Sequence, residues 1–142
     1  MAQLYQDAIS IVRRFGKPDY FITFTCNPNW PEIQNELLFG QTAADRPDLC
    51  ARVFNMKLKE LLNDIVNKSI LGKVDAYIKV IEFQKRGLPH AYMLFLMSPE
   101  DKPMNTTDTD NVISAELPDP IMHPQAYATV TSHMIHGPCG GM

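Results

Sequence analysis

Apolar and polar positions along the chain predict three strands between helices. Three runs rich in aromatic and β-branched residues indicate strands: residues 20–25, 74–83 and 89–97. Residues 3–15 and 49–70 place apolar side chains at intervals of three and four, which is the spacing of one helix face. Gly16 and Gly72 follow these segments and predict their ends.

Shorter elements complete the predicted order. Residues 30–38 are expected to form a short helix, with Asn29 as its cap and Pro31 in its first turn. After the third strand we expect a polar loop, a short strand and a last helix: residues 98–110, 112–116 and 125–134. The pattern predicts one α+β domain over residues 1–142, with an antiparallel β-sheet flanked by helices.

Composition narrows the class of protein. The 142 residues are 45% hydrophobic, which suits one compact domain with a single core. No apolar run reaches the length of about 18 residues that a membrane span needs, and the N-terminus lacks the pattern of a secretory signal. The three cysteines are odd in number and widely spaced, so we expect no disulfide framework and an intracellular or nuclear protein.

Charge is distributed unevenly along the chain. The net charge is −3, which argues against a general nucleic-acid binder. Residues 1–97 contain 12 basic and 10 acidic residues, whereas residues 98–142 contain one basic and six acidic residues. We therefore expect any nucleic-acid face to lie in the first two thirds of the chain.

The hairpin of the second and third strands carries candidate metal ligands. His90 and Tyr92 are two residues apart and share one face, as do Glu82 and Gln84 on the partner strand. Imidazole, carboxylate and amide groups together predict a site for a divalent ion such as Mg²⁺ or Mn²⁺. The alternative is an ordinary hairpin with a histidine on its polar face.

Two stretches carry candidate DNA-binding residues. Lys85 and Arg86 at the hairpin turn could bind phosphate, or they could be a solvated turn. The strand that ends at residue 25 delivers Asn27 and Asn29 to the sheet edge, and Trp30 offers a stacking face for a base. The alternative for Trp30 is an anchor in the core.

The C-terminal stretch contains a partial zinc pattern. His133, His136 and Cys139 have the spacing H-x2-H-x2-C. A structural zinc site needs four ligands, and the fourth would be His123 or a residue beyond Met142. The sequence therefore predicts Zn²⁺ binding only if a further ligand completes the set.

Five co-linear stretches of the chain carry a family resemblance. They are QDAI with VRRFGKPD (residues 6–9 and 12–19), FITFTCNPNWPEI (21–33), EFQKRGLPHAYM (82–93), SAELPDP (114–120) and MIHGPCG (134–140). Together they resemble the N-terminal helicase-like domain of Helitron transposases, which belongs to the HUH endonucleases of rolling-circle replication. The resemblance implies metal-dependent nicking and joining of single-stranded DNA, with a helicase domain in the same polypeptide.

The resemblance also assigns residues. In the family, two histidines separated by one apolar residue hold a divalent metal with a third polar ligand, and a downstream tyrosine attacks the scissile phosphate. His90 matches the first histidine, and Gln84 matches the third ligand with Glu82 as the alternative. Tyr92 stands where the second histidine is expected, and a protonated phenol is a poor ligand for Mg²⁺ or Mn²⁺.

These departures shape the functional hypotheses. Tyr127 does not lie in the family's tyrosine motif, so the chain is expected to be a domain truncated at its C-terminus, with weak or lost metal binding and no complete cleavage cycle of its own. Whether it is an enzyme therefore stays open. The alternatives are a non-catalytic module that binds single-stranded DNA and a remnant that binds protein.

Overall fold

The computed structural model describes residues 6, 9–10, 12–14, 16–83, 87–114 and 116–135. They divide into two compact units, Met1–Lys102 and Pro103–Met142. The first unit holds a three-stranded antiparallel sheet in the order β1-β3-β2. Its strands are β1 (Tyr20–Thr25), β2 (Val74–Phe83) and β3 (Pro89–Met97). All three predicted strands are confirmed, and so is the α+β class.

The helices of the first unit differ from the prediction at their ends. The long helix α2 (Pro47–Leu62) begins two residues before the predicted start, because Pro47 occupies its first turn, where a missing N–H costs nothing. It continues into a π-helical turn at Asn63–Asn67 and ends before Gly72. The predicted N-terminal helix covers residues 3–15. Within it, residues 6, 9, 10 and 12–14 are helical, and the others lie outside the described residues.

The short helix after β1 corrects the predicted cap. Helix α1 covers only Pro31–Gln34, and the residue before it is Trp30 rather than Asn29. The backbone N–H of Asn29 instead donates to Asn27 Oδ1 at 2.9 Å, which closes a turn around Pro28. The loop between α1 and α2 also contains a 3₁₀ turn, Ala43–Asp45, where Asp45 Oδ2 accepts the Thr42 backbone N–H at 2.8 Å.

The core lies between one face of the sheet and helix α2. The rings of Phe24 in β1 and Phe54 in α2 stack at 5.3 Å between centroids. Alternate residues of the central strand are fully buried on this side: Ala91, Met93 and Phe95. They pack in one cluster with the apolar stripe of α2: Leu49, Val53, Phe54, Leu58 and Leu62. Helix α2, which the apolar periodicity of residues 49–70 predicted, thus forms the second layer of the fold.

The second unit corrects the predicted loop and strand. Helix α3 covers Thr106–Val112, in a stretch predicted as loop, and helix α4 covers Pro124–His133, within one residue of the prediction. The Asn105 side chain accepts the Asp108 N–H at 2.9 Å, so an N-cap offsets the weak helix propensity of the threonines and aspartates. The predicted strand at 112–116 is wrong: residue 112 is helical, and residues 113, 114 and 116 are not in a strand.

In the part of the chain that the structure describes, no helix is long and apolar enough to cross a membrane.

Candidate metal and nucleic-acid site

The register of the strands separates two faces of the sheet. The covered face, which helix α2 packs against, carries Phe24 opposite Ala91, Ile22 opposite Met93 and Tyr20 opposite Phe95. We call the other side the open face and define it by these residues: Phe21, Thr23, Thr25, Ile78, Val80, Glu82, His90, Tyr92 and Leu94. Every residue of this set is half-buried or exposed. The open face is thus the less buried side of the central strand.

Three polar side chains form one row across the open face. His90 on the central strand pairs with Thr25 of β1 on one side and with Glu82 of β2 on the other. Directly paired residues of antiparallel strands have Cβ atoms about 4.5–5.5 Å apart, so the side chains are neighbours. The structure therefore brings together two of the predicted ligands, His90 and Glu82.

Thr25 orients the imidazole of His90. The Thr25 hydroxyl and His90 Nδ1 are hydrogen-bonded across 65 residues of sequence. In the tautomer with the proton on Nδ1, that N–H donates to Thr25 Oγ1 and the lone pair of Nε2 is free. Metal-binding histidines are usually held in this way by a partner on the second ring nitrogen.

Tyr92 joins His90 to an aromatic neighbour. The rings of Tyr92 and His90 meet edge to face, with centroids 4.6 Å apart. On its other side the Tyr92 ring is nearly parallel to that of Phe21, with centroids 6.2 Å apart and planes 11° apart. Phe21, Tyr92 and His90 thus form a continuous row of rings on the open face.

The donors fit a divalent ion in part. The Glu82 carboxylate is a type of donor that suits Mg²⁺ or Mn²⁺, and imidazole nitrogen, as in His90, is a ligand of transition metals. Among the described residues, no group of three or more histidine, cysteine, aspartate or glutamate side chains is placed to hold a metal. Gln84, the predicted third ligand, and the turn residues Lys85 and Arg86 lie outside the described residues.

The predicted stacking residue Trp30 packs within the first unit. Its ring stacks on Phe24 at 5.8 Å between centroids, and Lys57 Nζ lies 5.0 Å from its centroid. Lys57 also forms an ion pair with Glu32 at 2.9 Å. Trp30 remains half-buried in these contacts, as expected of an anchor, and its role in DNA binding stays a prediction.

The remaining predicted residues that the structure describes lie in the turn after β1 and at the two ends of helix α4. Asn27 and Asn29 form the turn that leaves β1. His133 is the last residue of α4, whereas His136 and Cys139 lie outside the described residues. His123, the alternative zinc ligand, precedes α4. The zinc and DNA assignments of these residues stay predictions.

The two described cysteines lie in the core. Cys26, which directly follows β1, and Cys50 in helix α2 are buried free thiols. Burial, with a smaller contribution from Cys50, raises the pKa of the Cys26 thiol to about 12. Cys26 is therefore protonated at neutral pH and a poor nucleophile.

Sequence reasoning missed Thr25 and Phe21. Both lie in the stretch FITFT, whose alternation places Phe21, Thr23 and Thr25 on one face. That alternation could have shown from the sequence that the three residues share a face. It could not have identified their partner residues, because the pairing of β1 with β3 joins segments 65 residues apart.

Comparison with known proteins assigns the fold to a family. The family model of the Helitron helicase-like domain at the N-terminus matches residues 1–95. No curated protein matches the chain. The matched residues contain strands β1 and β2, helix α2 and the row of Thr25, His90 and Glu82. The chain therefore belongs to the family of Helitron helicase-like N-terminal domains.

Proposed function

We propose that this chain binds a divalent cation and single-stranded DNA on the open face of its sheet. In this proposal the chain is part of a domain that nicks and joins single-stranded DNA in rolling-circle transposition. The observation that carries the proposal is the row in which Thr25 holds His90 Nδ1 and Glu82 lies opposite His90. Family membership, which gives the chain a Helitron-related function, supports the DNA context.

Each residue of the row has a role in this proposal. His90 Nε2 and the Glu82 carboxylate hold the cation, and the hydrogen bond to Thr25 holds the orientation of the imidazole. A divalent ion bound there would supply Lewis-acid polarisation of a phosphodiester. Asn27, Asn29, Lys85 and Arg86 are proposed as further contacts to the DNA.

The same geometry limits what the 142 residues do alone. Tyr92 occupies the position of a second histidine, and its ring packs between His90 and Phe21. We therefore propose weak binding of Mg²⁺ or Mn²⁺ and no complete cleavage cycle by these residues alone. A helicase domain in the same polypeptide is the proposed partner.

Calorimetric titration with Mn²⁺ tests the metal site. We expect the wild-type chain to bind one ion and His90→Ala to lose that binding. His123→Ala is the matched control, because His123 is an exposed histidine of the second unit and is not a member of the row. Equal binding by the wild type and His90→Ala, or no binding by either, would rule out the metal site and leave the non-catalytic DNA-binding module as the candidate.

A further inference from the structure

We propose that Phe21 and Tyr92 form a stacking platform for the bases of single-stranded DNA beside His90. The proposal rests on the proposed function, because it assumes that DNA reaches the open face. It adds to that function the residues that hold the bases and the kind of contact they make. Recognition by stacking would tolerate any base sequence, since every base has a π-face.

The exposure of Phe21 is the first support for a platform. Phe21 is 59% exposed, although it lies within a strand whose next residue, Ile22, packs against the core. The ring does not serve the core, because it points to the opposite side of the sheet from Phe24 and Phe54. An aromatic ring held on a strand and left in water is a preorganised surface for another flat ring.

The arrangement of the rings is the second support. Phe21 and Tyr92 are nearly parallel, so the two rings present flat surfaces in a common orientation. Tyr92 in turn contacts His90, the proposed metal ligand. A base on the platform would therefore lie close to the position where a phosphate meets the proposed ion.

The chemistry of the surrounding face is the third support. The neighbours of the rings are the hydroxyl side chains Thr23 and Thr25 and the half-buried Ile78 and Val80. Positively charged side chains are not among the residues that define the open face. The contacts that these rings make with DNA would involve its bases rather than its phosphates, so this part of the affinity would depend weakly on salt.

The chain provides a matched control on the opposite side of the sheet. Phe83 is 62% exposed and also lies on an edge strand, but it is on the covered side. There it lines a groove of about 240 Å³ with Ala51, Phe54 and Asn55 of α2. Phe83→Ala removes the same ring with the same exposure and leaves the open face intact.

The test is the binding of a fluorescein-labelled single-stranded oligonucleotide in the presence of Mn²⁺, followed by fluorescence anisotropy. We expect Phe21→Ala to weaken the affinity about 5- to 150-fold, which is the range for the loss of one base–aromatic stack. Phe83→Ala should bind like the wild type, and Phe21→Trp should bind at least as well because it keeps a stacking face. Far-ultraviolet circular dichroism of each variant checks that the fold is retained.

An oligonucleotide with abasic sites separates stacking from other effects. If Phe21 stacks on a base, the wild type binds the abasic strand more weakly than the intact strand. Phe21→Ala, which already lacks the ring, binds the two strands with nearly equal affinity. Equal affinities of the wild type and Phe21→Ala for the intact strand would overturn the platform but leave the proposed DNA binding in place. Equal losses in Phe21→Ala and Phe83→Ala would overturn it as well. If the wild type binds no oligonucleotide, both the platform and the proposed DNA binding fail, and the Mn²⁺ titration judges the metal site separately.

Discussion

The two faces of the sheet use the same strands for different purposes. On the covered face, Phe24 lies between the rings of Trp30 and Phe54, and its neighbours on the central strand are buried. On the open face, Phe21 contacts the ring of Tyr92 and is 59% exposed. Three positions along β1 thus separate a ring that is packed in the core from a ring that is more than half exposed.

Polar side chains show the same division. The described polar row of Thr25, His90 and Glu82 is on the open face, whereas the covered face meets the apolar stripe of α2. Buried polar groups without partners are costly, so a core of this kind excludes them. A polar side chain such as His90 is therefore favoured on the open face rather than in the core.

The largest expected effect compares one phenylalanine on each face. Phe95→Ala removes a fully buried ring that stacks with Tyr77, and we expect it to lower the free energy of unfolding by about 3–5 kcal/mol. Phe21→Ala should lower it by at most about 1 kcal/mol, the range of one cross-strand pair. Urea denaturation followed by circular dichroism measures both values. Similar losses in the two variants would mean that the open face also belongs to the core.

The next effect concerns the partner of His90. Thr25→Val keeps the shape of the side chain and removes the hydroxyl that holds Nδ1. We expect the affinity for Mn²⁺ to fall about 10- to 100-fold, because partners that orient a ligand have effects of this size. Thr23→Val is the control, since Thr23 is exposed on the same strand and face but is paired with Tyr92. The idea that Thr25 positions the imidazole fails if both variants bind Mn²⁺ equally.

A smaller effect is expected from restoring a ligand. Tyr92→His places a second imidazole two residues from His90, and the affinity for Mn²⁺ should rise about tenfold, equivalent to about 1.4 kcal/mol. Leu94→His adds a histidine on the same strand and face, two positions farther from His90, and should leave the affinity unchanged. Calorimetry with both variants distinguishes a specific site from a general gain in metal binding by added histidines. An equal gain in both would contradict the site.

The sequence predicted the covered face better than the open one. Strand and helix periodicity are local properties, so residues 20–25, 74–83, 89–97 and most of α2 could be assigned from apolar spacing. The prediction failed where local hydrogen bonds decided the outcome. Asn27 rather than Asn29 shapes the turn after β1, and Asn105 starts a helix in a stretch rich in loop-forming residues.

The candidate site was predictable only within one hairpin. His90, Tyr92 and Glu82 belong to adjacent strands joined by a short turn, so their common face followed from a period of two. Thr25 and Phe21 approach them from a strand about 70 residues earlier, and the register of that pairing depends on packing against α2. Long-range pairing of this kind is not encoded in any single stretch of the sequence.

The smallest predicted effect links the cation to DNA. Glu82 carries the negative charge among the residues that define the open face, and it lies opposite His90. Without a metal, this carboxylate repels a phosphate that approaches His90, by about 1 kcal/mol for charges 4 Å apart in water. We therefore expect Mn²⁺ to raise the affinity for a single-stranded oligonucleotide about three- to fivefold.

Glu82→Gln sharpens this expectation because it removes the charge and keeps the size of the side chain. The variant should bind the oligonucleotide about three- to fivefold more tightly than the wild type without metal, and Mn²⁺ should then have little further effect. Glu60→Gln is the control, since Glu60 is an exposed glutamate on helix α2. Anisotropy titrations of the wild type and both variants, with and without Mn²⁺, measure the six affinities. If Glu82→Gln keeps the full response to Mn²⁺, the cation acts elsewhere, and the open face binds DNA through its rings alone.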